Sequence, residues 1–271
     1  MNDSDKIKKY LLETMIYFHE FCESNNLKYY IVGGTLIGAI RHKGFIPWDD
    51  DIDIVMPRKD YEKLISIKNN INKKFELNFF NESNLNYIYP FIKLSNNKLI
   101  VEENFYKPFN IGIWIDIFPL DYIFENRYLK KIQFFIINNI LRKILILKYG
   151  SFKVEKRNKI SLKIIILFYF IFKFFPRKFL NFLFDFVQIT LPNYFSNKKN
   201  YANFYGTWGI KEVAPIELFA ERQLYEFEKH KFYGFKDFDF WLKKVYDNYM
   251  KLPPKELQKE KHINKIINEL N

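Results

Sequence analysis

Asp51 and Asp53 stand two residues apart in an alternating run, with Ile52 between them and Ile54 after. Alternation is the period of a strand, and it puts both carboxylates on one face, about 6.6 Å apart along the chain. Two unit charges ~4 Å apart repel by about 4 kcal/mol at an effective dielectric of about 20. A cation between them removes the conflict. Oxygen-only ligands suit Mg²⁺ (or Mn²⁺), and Mg²⁺ uses one or two carboxylates together with substrate phosphates. The chemistry such a pair serves is phosphoryl-group transfer. Asp49 and Asp50 add negative charge just upstream, and Asp116, on a later alternating run, is the natural third ligand.

A glycine turn precedes these acids. Gly33 and Gly34 let the backbone approach a phosphate, and the helix that follows offers free N–H groups and a positive dipole end. Thr35 adds a hydroxyl. Arg41, with His42 and Lys43, is placed to neutralise phosphate charge, and Arg41 or Lys93 to stabilise a leaving group. Asp49, Asp51 and Asp53 also have the spacing that opens an EF-hand loop. That loop needs Gly at its sixth position, where this chain has Ile54.

Regular elements must hold these groups in place. Residues 5–23 place Ile7, Leu11, Met15, Phe18 and Cys22 on one helical stripe. Residues 27–32 read as a short buried strand, 35–42 as a short helix, 51–55 as a strand and 58–68 as a helix. Strands are expected over 75–80, 87–94 and 111–118, and helices over 215–229 and 237–251.

The chain has 271 residues, is 48% hydrophobic and 27% charged, and carries 31 Phe and 19 Tyr. Such a composition builds a folded core rather than a disordered chain. One cysteine, Cys22, excludes an internal disulfide and a Cys/His metal cluster. The first residues lack the apolar stretch of a signal peptide, so a cytoplasmic protein is expected. Net charge is +12, and residues 128–192 hold thirteen Lys/Arg against Glu155 and Asp185. Thirteen minus two gives +11, which leaves the rest of the chain near neutral.

That basic segment reads as two or three helices rich in Ile, Phe and Lys. Its longest uninterrupted apolar run, 164–172, is too short for a membrane span, which needs roughly 20 apolar residues. The segment admits three roles: a subdomain with a solvated basic face, a contact with an anionic membrane surface, or nucleic-acid binding. No motif supports nucleic acid. Apolar faces flanked by Lys/Arg favour peripheral contact with the inner face of the cell membrane.

The run GGTLIGAIRHKGFIPWDDDIDI over 33–54 resembles the signature of the LicD family of phosphocholine transferases, relatives of the fukutin-type phosphopolyol transferases. MPRKDY at 56–61 and IDIFPLD at 115–121 continue the likeness. YDNYMKLPP at 246–254 resembles a further family block in which Gly is more usual than Asp247. The resemblance implies an α/β (α+β) fold: a nucleotidyltransferase-like mixed sheet flanked by helices, here with a basic helical insertion. A core over 1–127, a helical segment over 128–200 and a C-terminal part over 201–271 are expected.

The resemblance also implies a CDP-linked donor, typically CDP-choline, and a glycan or lipid-linked glycan acceptor on the cell surface, with release of CMP. Asp51, Asp53 and Asp116 match the family's Mg²⁺-binding carboxylates, and Asp49 an acidic position of the related group. A true nucleotidyltransferase would use the same carboxylates, and a non-enzymatic protein with a decayed site is disfavoured by their presence. A choline headgroup requires aromatic faces, for which Trp48 and Trp114 are candidates, although packing suits either one better.

Overall fold

The computed structural model describes residues 2–80, 87–103, 109–149, 167, 170–258 and 263–270. They form two compact units. The first takes Met1–Asn78, Ile92–Leu120 and Glu217–Asn271; the second takes Phe79–Phe91 and Asp121–Ile216.

The first unit is built on a mixed sheet flanked by helices, as an α/β chain requires. Helix α1 (Asp3–Ser24) is capped by Asn2, whose side chain accepts from Asp5 N, and buries the expected stripe of Ile7, Leu11, Met15, Phe18 and Cys22. Burial pushes the Cys22 thiol well up, so it is a packing group and not a nucleophile. Strand β1 (Tyr30–Ile31) leads into helix α2 (Gly33–Arg41), strand β2 (Asp53–Pro57) and helix α3 (Arg58–Ser66). Strands β3 (Phe75–Asn78), β4 (Ile92–Glu103) and β5 (Phe109–Tyr122) follow.

The order across the sheet is β1-β2-β5-β4, with β3 also on β4. Strands β2 and β5 run parallel, and β4 and β5 antiparallel. A last strand, which we number β10 (Ile263–Glu269), pairs antiparallel with β4. Lys6 and Tyr10 of α1 both bond its Glu269. The apolar sides of β2 and β5 supply the core: Ile54, Val55, Met56, Ile115 and Ile117 are all buried.

The second unit is largely helical. Helix α4 (Arg127–Phe135) continues through a wider π-helical stretch (Ile136–Leu141) into α5 (Arg142–Tyr149). Helix α6 (Arg177–Asp185) passes through a second such stretch (Phe186–Thr190) into α7 (Leu191–Phe195). Strands β6 (Asn200–Asn203) and β7 (Val213–Pro215) pair antiparallel. Most of the apolar run over 164–172 lies outside the described residues. Among the described residues no helix is long and apolar enough to cross a membrane.

Several expected elements are corrected. The strand predicted over 51–55 begins at Asp53, although the ladder reaches back to Ile52, whose carbonyl accepts from Asp116 N. The strand expected over 87–94 begins at Ile92. The helix expected over 215–229 is instead β7, a short 3₁₀ turn and strand β8 (Arg222–Phe227), which pairs with β9 (His230–Phe235). Their two-residue turn, Glu228–Lys229, has both residues at positive φ. Without Gly or Asn it carries no hairpin signal in the sequence. Helix α8 (Phe238–Tyr246) belongs to the first unit.

Candidate active site

The acids collect at one end of the first unit's sheet. Asp53 opens β2, and in the parallel ladder its Cα partner is Asp116 of β5. Asp116 is in turn the Cα partner of Lys93 on β4. Three neighbouring strands therefore present Asp53, Asp116 and Lys93 in one row. Asp51 and Asp53 are half-exposed while Ile52 and Ile54 are buried, so the alternation holds across the start of the strand.

Helix α2 begins beside this row, which explains its two glycines. Gly33 sits at φ +60°, and a Cβ there would lie 2.5 Å from Asp53 Oδ2. A Cβ on Gly34 would overlap the carboxylate of Asp49. The glycines thus bring two carboxylates, Asp49 and Asp53, onto the first turn of the helix, where the dipole favours negative charge. Thr35 is buried and its hydroxyl accepts from Asp53 N at 2.9 Å, fixing the start of β2 to α2. Asp50 is buried and accepts from Ile263 N at 3.1 Å, which gives it a structural tie to β10.

Lys93 is 2% exposed. Its Nζ lies 2.8 Å from Asp116 Oδ1 and 3.4 Å from Glu103 Oε1, and 4.3 Å from the ring centre of the buried Trp114. Burial is the largest single influence and pulls the ammonium down. Asp116 and Glu103 together outweigh it and hold the group above its ordinary value. Lys93 is thus a fixed positive charge set on Asp116. Trp114 already has a cation over its ring, while Trp48 is half-buried in the loop before Asp49.

Arg41, at the far end of α2, donates to the Tyr249 carbonyl at 2.7 Å. It therefore joins the first motif block to the last. In that last block Asp247 has φ +59° and ψ −110°, a conformation suited to Gly. Glu228 carried no signal in the sequence, yet it organises the loop between α2 and Asp49. Its carboxylate accepts from Phe45 N at 3.1 Å, and its own N–H donates to the Lys43 carbonyl at 2.9 Å. Lys43, Glu228 and Lys229 all have positive φ. Such strain costs about 1 kcal/mol per residue and persists where surrounding contacts enforce it.

The donor set around α2 and β2 is all oxygen, and the missing Cβ atoms of Gly33 and Gly34 give the carboxylates room. Both features fit a hard divalent cation. Among the described residues no group of three or more His, Cys, Asp or Glu side chains stands close enough to hold a metal by itself.

Known sequences decide the family. Residues 26–135 match the LicD/FKTN/FKRP nucleotidyltransferase domain. Over 265 residues, 93% of this chain and 93% of the relative, the sequence is 30% identical to the lipopolysaccharide cholinephosphotransferase LicD of Haemophilus influenzae. The chain belongs to the LicD family. A shorter stretch of 44 residues, 16% of this chain and 9% of the relative, is 43% identical to the ribitol 5-phosphate transferase FKRP of Mus musculus, and equally to that of Homo sapiens. The LicD-family domain covers α2, β2 and β5, so the row of Asp53, Asp116 and Lys93 falls within the matched residues.

Proposed function

We propose that this chain transfers phosphocholine from CDP-choline to a sugar hydroxyl of a cell-surface glycan, with release of CMP. Identity to a cholinephosphotransferase along nearly the whole of both chains carries this reading. The row of carboxylates at the start of α2 supports it.

In the proposed reaction the acceptor oxygen attacks the phosphorus of the phosphocholine group. The bond from that phosphorus to the CMP oxygen breaks, and CMP leaves with the electron pair. The hydroxyl proton passes to a carboxylate, Asp49 or Asp116. Asp51 and Asp53 would hold Mg²⁺ (or Mn²⁺) jointly with the donor's phosphates, and a bound ion of this kind supplies Lewis-acid stabilisation of phosphate charge. Lys93 keeps Asp116 in place and compensates its charge. Thr35 fixes the backbone of Asp53, and Arg41 secures the far end of α2 against the Tyr249 segment.

The FKRP match favours a second reading, transfer of a phosphopolyol such as ribitol phosphate. Incubation of the protein with acceptor glycan and CDP-choline, CDP-ribitol or CDP-glycerol in turn separates the two. CMP release with CDP-choline alone is expected. CMP release with CDP-ribitol alone would transfer the reading to the second class. Pyrophosphate release from CTP, with no CMP from any of the three CDP-linked donors, would make the protein a nucleotidyltransferase.

A further inference from the structure

Two helices of the second unit carry apolar side chains on their exposed face as well as in their core. On α4, Tyr128, Leu129, Ile132 and Phe135 share one face at helical spacing and are all exposed, Tyr128 to 73%. The buried residues on the same helix are Gln133 and Phe134. On α6 and its flanks, Phe175, Phe179, Phe182 and Phe186 follow at steps of four, three and four, a stripe of rings in mutual contact. Phe182 is 57% exposed, whereas Arg177 and Gln188 are buried.

The two buried glutamines find partners within the unit. Gln133 Nε2 donates to the Val187 carbonyl at 3.1 Å, which also sets α4 beside the α6 segment. Gln188 donates to Asp121 and accepts from the Tyr205 hydroxyl. In water, Phe outward and Gln inward wastes the hydrophobic term, so an exposed apolar surface of this extent marks a contact site.

Charge identifies the occupant. Arg127 and Lys131 are exposed beside the α4 face, and Lys178 beside the α6 stripe. Lys173 lies over the rings of Phe170 and Phe174. The sequence over 128–192 holds thirteen Lys/Arg and two acids. A second copy of this surface would set like charges against like. We infer that this helical face lies on an anionic lipid bilayer, its Phe, Leu and Ile side chains entering the headgroup boundary and its Lys and Arg meeting lipid phosphates.

The test is co-sedimentation of the full chain at low salt with vesicles of phosphatidylcholine, or of phosphatidylcholine with one-third phosphatidylglycerol. Partitioning should be at least about tenfold stronger on the anionic vesicles, since each basic residue at such a surface contributes several-fold. The pair Lys131→Glu/Lys178→Glu and the pair Phe182→Ser/Phe186→Ser should each weaken it about tenfold, with the melting temperature kept because all four positions are exposed. The inference fails if the wild-type protein stays in the supernatant, or if either folded pair binds as the wild type does. It also fails if sedimentation velocity shows a dimer that the Phe pair dissociates and vesicles do not bind.

Discussion

The two units differ in what they leave on the surface and what they bury besides their apolar cores. In the first, aromatic and aliphatic side chains point inward and the acids gather at one end of a sheet, where Lys93 compensates Asp116 and Glu103. In the second, Phe134, Phe184 and Phe204 are core, yet Tyr128, Phe135, Phe182 and Phe186 point outward while the amides Gln133 and Gln188 are buried. Its buried carboxylate Glu212 meets neutral donors: Asn203 Nδ2 at 2.8 Å and Trp208 N at 2.9 Å. Burial, only partly offset by those two bonds, pushes Glu212 up to about 7. Buried charge is therefore kept at Lys93 by pairing and opposed at Glu212 by desolvation.

The largest effect that would break this contrast is at Lys93. Lys93→Met should destabilise the protein by about 3–5 kcal/mol, because two carboxylates lose their buried counter-charge. Urea unfolding measures it, and a loss below ~1 kcal/mol would mean the acids are compensated elsewhere. One helix then sharpens the contrast. Phe184 of α6 is 4% exposed and Phe182 is 57% exposed. Phe184→Ala should cost about 3–5 kcal/mol and Phe182→Ala less than ~0.5 kcal/mol. Equal losses would show that the outward stripe is core.

A smaller effect concerns pH. The Glu212 carboxyl is raised from 4.5 to about 7 in the native state. Between those values the folded chain keeps a proton that the unfolded chain has lost. Stability from this group is therefore present at low pH, falls as pH rises through the window, and is level above it. The fall is ~3 kcal/mol at most. Glu212→Gln should flatten the stability profile from pH 5 to 7.5 by up to that amount. The smallest expected effect is a gain. Asp247→Gly relieves a backbone that disfavours a side chain and should add about 1 kcal/mol, read as a rise in melting temperature.

Much of the first unit was legible because its signals are local. The stripe of Ile7 to Cys22, the alternation around Ile52 and Ile54, and the glycines at 33 and 34 each report their own backbone. What could not be read depends on partners distant in sequence. The glycines suggest a phosphate loop, and only the fold shows that they clear space for Asp49 and Asp53. Lys93 read as a group for the leaving phosphate because nothing near it in sequence announces Asp116 or Glu103. Residues 263–269 become a strand through pairing with β4, a partner more than 150 residues away. The β8–β9 hairpin was hidden by Glu228 and Lys229, which turn without Gly because contacts to Lys43 and Phe45 hold the turn.

The central claim is that the carboxylates beside Gly33 and Gly34 carry phosphocholine transfer. Its most direct test is CMP release from CDP-choline in the presence of acceptor glycan, with and without added Mg²⁺, for the wild type and for Asp53→Asn. Metal-dependent release by the wild type is expected, with a loss of roughly 10³-fold in kcat for the variant and an unchanged circular dichroism spectrum. Full metal-dependent turnover by a correctly folded Asp53→Asn protein would contradict the account.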